Sequence, residues 1–149
     1  MPKFSTGLRN SMLNDTGFKT LMDGGELRIF AVTAPNVVPL TADGAETGEL
    51  LMTLTAGGAG GGLNFSVPEG AAISKAEAEV WMTSSVGADG KCAYFRFVQP
   101  ADDGTASDAL PRIQGTCGLV AADMVLTNVN VTAGLPWTLN FFTVGFPTQ

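Results

Sequence analysis

The sequence predicts a mainly β protein: a single antiparallel sandwich or barrel, jelly-roll-like, with a short N-terminal helix. Three observations predict it. Glycine is abundant, at 19 of 149 residues, and charged residues make up only 15%. That composition favours strands and turns over a helical bundle. Turn signals delimit about eight or nine short alternating segments at roughly 8–12-residue spacing. Helical periodicity is confined to the start of the chain. The length suits one domain, 1–149, with 1–23 as an N-terminal helical segment.

Within 1–23, Ser5 or Thr6 can cap a helix by accepting from a free N–H of its first turn. Leu8, Met12, Phe18, Leu21 and Met22 fall roughly on one face, and Gly17 weakens or breaks the helix between them. Gly24 and Gly25 end it, since glycine accepts positive φ. So short a helix needs a surface to lie on, supplied either by the rest of the domain or by a neighbouring subunit.

Glu26–Val32 then alternates as a half-buried strand. Pro35, Pro39, Asp43 and Gly44 mark 33–48 as a long surface connection, either solvated or lying along a partner. Leu50–Thr55 is a second strand and Leu63–Val67 a third, joined by the glycine run 57–62. Ala78–Ser85 and Cys92–Val98, with the Asp89-Gly90 signal between them, predict a hairpin. Its second strand sets Ala93, Phe95 and Phe97 against Tyr94 and Arg96. Leu110–Thr116, Met124–Val131 and Pro136–Phe146 complete the strands, the last one apolar on both faces and therefore central or covered. The alternation places Phe65, Phe95, Phe97, Val129 and Leu139 in the core.

The chain has no histidine. Ser-His and Cys-His catalysis are excluded, as is the commonest zinc ligand. Two cysteines alone do not complete a four-ligand zinc site. Cys92 and Cys117 read as reduced, buried, inert side chains. The glycine run has no following Lys and leads into a strand, so it is not a phosphate loop. Asp102, Asp103 and Asp108 share a loop without the ligand order of an EF-hand. Glu77 and Glu79 share a strand face, where they could imitate a glycosidase pair. Trp81, Tyr94 and Trp137 could stack sugars but suit a core equally. The expectation is a protein that is not an enzyme, with no catalytic residue, cofactor or metal. The net charge of -6 disfavours nucleic acid. No apolar run approaches the roughly 20 residues of a membrane helix, and no signal-peptide pattern opens the chain. Synthesis in a cytoplasm is expected.

Residues 5–13 (STGLRNSML), 18–30 (FKTLMDGGELRIF), the Pro-containing linker and 45–51 (AETGELL) together resemble a family of small virion structural proteins of tailed bacteriophages. The resemblance is clearest over 5–55. Beyond it, only short strands, Gly-rich turns, an ISKAEAEVW segment and an apolar tail are shared. It implies a non-enzymatic capsid decoration or cement protein in the virion, made in the host bacterial cytoplasm. The implied partners are the major capsid protein and copies of itself, with a trimer as one arrangement. A tail or head–tail connector component and a carbohydrate-binding host-attachment module are the alternatives. The candidate assembly contacts are Leu8, Met12, Phe18, Phe142 and Phe146.

Overall fold

The computed structural model describes residues 1–146. In chain order, β1 (Lys3–Phe4) precedes two helices, α1 (Thr6–Asn14) and α2 (Phe18–Met22). The strands β2 (Glu26–Ala31), β3 (Glu49–Ala56), β4 (Ala72–Ser74), β5 (Trp81–Thr83) and β6 (Gly90–Lys91) follow. Then come β7 (Tyr94–Val98), β8 (Arg112–Gly118), β9 (Met124–Val125), β10 (Asn130–Val131), β11 (Trp137–Leu139) and β12 (Thr143–Gly145). The protein is mainly β, as its composition and turn spacing predict.

One large sheet dominates, in the order β1-β8-β7-β2-β3-β5-β11. Its pairs are antiparallel except that β9 lies parallel to the end of β8. Two ribbons, β12 with β4 and β10 with β6, pair outside it. The inner face carries two cross-strand rows. Leu54, Leu27, Phe97, Ile113 and Phe4 are successive register partners, as are Met52, Ile29, Phe95 and Gly115. Gly115 is required there, because a Cβ would lie 2.6 Å from the Phe95 ring. Phe65, Trp81, Phe142, Val129 and Leu139 pack over these rows, each at most 6% exposed. All five core residues expected from the alternation are buried.

The outer face is covered as well, by charged and polar side chains. Arg28, Arg96, Gln114 and Lys3 are register partners across β2, β7, β8 and β1. Arg96 and Arg112 are 0% exposed, Gln114 1% and Asp102 4%. What buries them is the 33–48 segment, a strap with no regular structure that crosses the sheet. Gln114 Nε2 donates to Pro39 O at 2.7 Å and Arg96 Nη1 to Gly44 O at 2.8 Å. Arg28 Nη1 pairs with Glu46 at 3.0 Å. The Tyr94 hydroxyl donates to Thr47 O at 2.8 Å and accepts from Thr47 N at 3.0 Å. The loop before β8 closes the cluster. Asp102 takes Arg112 in a fork of 2.5 and 2.7 Å, and its carbonyl accepts from Arg28 Nη2 at 2.7 Å.

Several expected elements end differently. The β5–β7 hairpin does not form. β5 pairs with β3 and β11, while β7 pairs with β2 and β8. The central place of β7 between two long strands outweighs the local Asp-Gly turn. Leu63–Val67 makes only isolated bridges at Leu63 and Phe65; burial alternates as expected through Ser66, but Val67, expected on the face of Leu63 and Phe65, is 80% exposed. The segment after Met124 divides into β9 and β10, and the apolar tail into β11 and β12. In the tail, Phe141 at the break is 88% exposed and Phe142 is 6% exposed.

Replacing Arg112 by methionine leaves the Asp102 carboxylate buried without its partner. The expected loss is about 3–5 kcal/mol of unfolding free energy, measured by urea denaturation. Replacing both members by apolar residues should recover much of that loss, and a single variant as stable as the parent would contradict the arrangement.

Candidate assembly surface

The N-terminal segment is placed by a single hydroxyl. Ser5 Oγ accepts from Leu8 N at 3.1 Å, which caps α1, and from Arg112 N at 2.9 Å, and donates to Leu110 O at 2.7 Å. The cap therefore also fixes the helix against the entry to β8. Gly17 is the N-cap of α2, so the helix is broken where the sequence indicated. Gly24, at φ +81°, turns the chain into β2.

The five expected assembly contacts do not share one environment. Leu8 is fully buried, Phe18 is 7% exposed and Phe142 is 6% exposed, all within the chain's own core. Met12 is half-buried against that core, and Phe146 is 37% exposed. Of the two surfaces offered for the helix, the chain's own core takes its main apolar side chains. In addition, β1 precedes the helix and pairs with β8, so the segment does carry sheet hydrogen bonds. This pairing was not legible beforehand, because the two residues of β1 are too few to show alternation.

Phe18 links the buried and exposed aromatics. Its ring meets Phe65 at 5.5 Å edge-on, Phe4 at 6.0 Å and Phe146 at 6.1 Å edge-on. At the surface end of this chain lies an open cavity of about 470 Å³ between β1, α1, the strap and β12. Phe4, Ala42 and Phe146 line it, with Lys3 and Arg9 beside them. A second cleft, about 660 Å³, is lined by β4, the start of β12, Val67, Glu69 and Phe141. On the strap's outward side, Val37 and Leu40 stay 68% and 85% exposed. Exposed apolar side chains grouped near polar rims mark interaction surfaces.

Several of the groups considered for chemistry are engaged elsewhere, while Asp108 and Glu77 are exposed. Asp102 is consumed by Arg112, and Asp103 Oδ1 accepts from Thr105 N and Oγ1. Among the described residues, no three His, Cys, Asp or Glu side chains gather to hold a metal. Glu77 and Glu79 do not share a strand face, because 77–79 is a turn closed by Glu79 N on Ala76 O. The Glu79 carboxylate instead accepts from Asn64 N, Asn64 Nδ2 and Trp81 Nε1. Cys92 and Cys117 are free thiols. Burial pushes Cys92 up to about 11 and raises Cys117 further, so neither forms a nucleophilic thiolate near neutral pH. Burial also lowers the Arg96 pKa from the ordinary arginine value. Its Nε has no hydrogen-bond partner among the described residues. Trp81 and Tyr94 are 0% exposed, which removes two of the three side chains considered for sugar stacking, while Trp137 is half-buried. No helix is long and apolar enough to cross a membrane among the described residues.

The chain matches no protein-family model, no curated protein and no solved structure.

A chain beginning at Gly24 loses Leu8, Phe18 and Met22 from the core together with β1. It should unfold or aggregate, and Leu8→Ala alone should cost about 2–5 kcal/mol. Circular dichroism and light scattering on the two variants check this. A soluble, cooperatively folding truncation would show that the segment is dispensable to the domain.

Proposed function

We propose that this chain is a non-enzymatic structural protein of a tailed-phage particle, acting as a capsid decoration or cement protein. The observation that carries the reading is the resemblance of residues 5–55 to small virion structural proteins. Its partners are then the major capsid protein and copies of itself, bound without covalent chemistry. The virion capsid is its destination and the host cytoplasm its place of synthesis.

The geometry lends support by the rigidity it gives to the resembling region. Asp43 on the strap accepts from Thr6 N and Thr6 Oγ1, each at 2.7 Å, so the strap and α1 form one unit. Lys3 Nζ adds a bond to Leu40 O at 2.9 Å. A cement protein gains from such a surface, because a preorganised face loses less entropy on docking. Val37 and Leu40 offer apolar contact on the outside of this unit, and Met12 and Phe146 are the expected contacts that keep exposed area. Repetition of one such contact over a symmetric shell adds buried area at each junction and opposes rupture.

Copy number in purified virions tests this reading. A cement protein is present in hundreds of copies, in proportion to the major capsid protein. A few copies, or a few tens, would place it in the tail or connector, and absence from the particle would end the structural reading.

A further inference from the structure

We propose that the end of the molecule around Phe146 is a self-association surface. In it, the Val67–Glu69 loop of one copy fills the Lys3–Arg9 cavity of a second copy across a two-fold axis. The inference rests on the self-association part of the proposed function, and it is tested in solution, where no particle is needed.

The cavity is apolar inside and cationic at its edge. Phe4, Ala42 and Phe146 supply the apolar lining. Lys3 and Arg9 are both exposed, and neither is in an ion pair among the described residues. Their hydrogen bonds go to neutral oxygens, Lys3 to Leu40 O and Arg9 to Thr6 Oγ1. Among the described residues that line the cavity, the carboxylate beside them is Asp43, which already has both oxygens bonded to Thr6. Two unneutralised cations at one apolar cavity stand out on a chain of net charge -6.

The complementary element is the loop that leads into β4, the pairing partner of β12. Val67 is 80% exposed and Glu69 is exposed and in no ion pair among the described residues. The loop is stiff. Glu69 and Ala72 exchange backbone hydrogen bonds at 2.9 and 3.0 Å, and the two residues between them, Gly70 and Ala71, both have positive φ. Ala71 O also accepts from Phe146 N at 2.9 Å, which ties the loop to the wall of the cavity. Projecting loop and receiving cavity are therefore neighbours, joined at Phe146.

That placement favours a two-fold contact. A face bearing both halves of a complementary pair makes each contact twice when it meets itself. Val67 enters apolar surroundings, and Glu69 reaches the cations that lack a carboxylate. The opposite charges set register and orientation, while the apolar burial supplies most of the affinity.

The test is sedimentation analysis of the intact chain over a wide concentration range, with paired charge reversals. The parent should form a dimer. Arg9→Glu alone and Glu69→Arg alone should each weaken it by about tenfold or more, because each sets like charges together across the contact. The double variant, Arg9→Glu with Glu69→Arg, should restore it, and Val67→Asp should abolish it. Far-ultraviolet spectra and melting midpoints establish that the variants fold. A monomer at every concentration, a trimer, or a dimer indifferent to the reversals would overturn the proposal. So would failure of the double variant to restore association, or a monomer that takes an acidic peptide into the cavity.

Discussion

The structure depends on two buried guanidinium groups. Arg96 and Arg112 lie on the outer face of the sheet with no exposed surface. Removing such a charge from water costs several kcal/mol, and only well-placed acceptors offset it. The acceptors are not on the sheet. Besides Gln114, they come from the strap and from the 102–105 loop, through Gly44 O, the Asp102 carboxylate and Thr105 O. A sheet carrying these arginines is therefore incomplete until the strap lies across it, and the strap, lacking regular structure, is held by the sheet.

From this constraint the placement of the remaining parts follows. Asp43, fixed on the strap, holds the first turn of α1, and Ser5 fixes the same turn to β8. The helix pair then presents Leu8, Phe18 and Met22 to the inner face. Phe18 carries the packing on to Phe4 and Phe146, so the start and the tail of the described chain meet at one end. Around that end lie the cationic cavity and the Val67–Glu69 loop, with the strap beside them. A surface built this way is held in place by hydrogen bonds without regular secondary structure.

Much of the fold was legible because alternation and capping are local. Ser5, Gly17, Gly24, β2, β3 and the two faces of β7 follow from neighbouring residues alone. What was not legible is long-range. The Asp89-Gly90 signal is a sound local turn, yet β7 finds better partners in β2 and β8. The sequence offers Arg28, Arg96 and Arg112 as ordinary surface charges, and only the register puts Arg96 beside Arg28 and Gln114 beneath the strap. The assembly contacts fared similarly. Apolar character alone cannot separate Phe142, inside, from Phe141, outside, in a two-sided apolar segment. Lys3 and Arg9 gave no signal, because only the folded chain shows that neither has an ion-pair partner among the described residues.

Native-state hydrogen exchange tests the strap directly. The amides of Glu46, bonded to Gly104 O, and Thr47, bonded to the Tyr94 hydroxyl, belong to a segment without regular structure. If the buried arginines hold the strap to the sheet, these amides exchange only when the sheet itself opens, with protection matching the amides of β7. Exchange at the rate of a free loop, while β7 remains protected, would contradict the account.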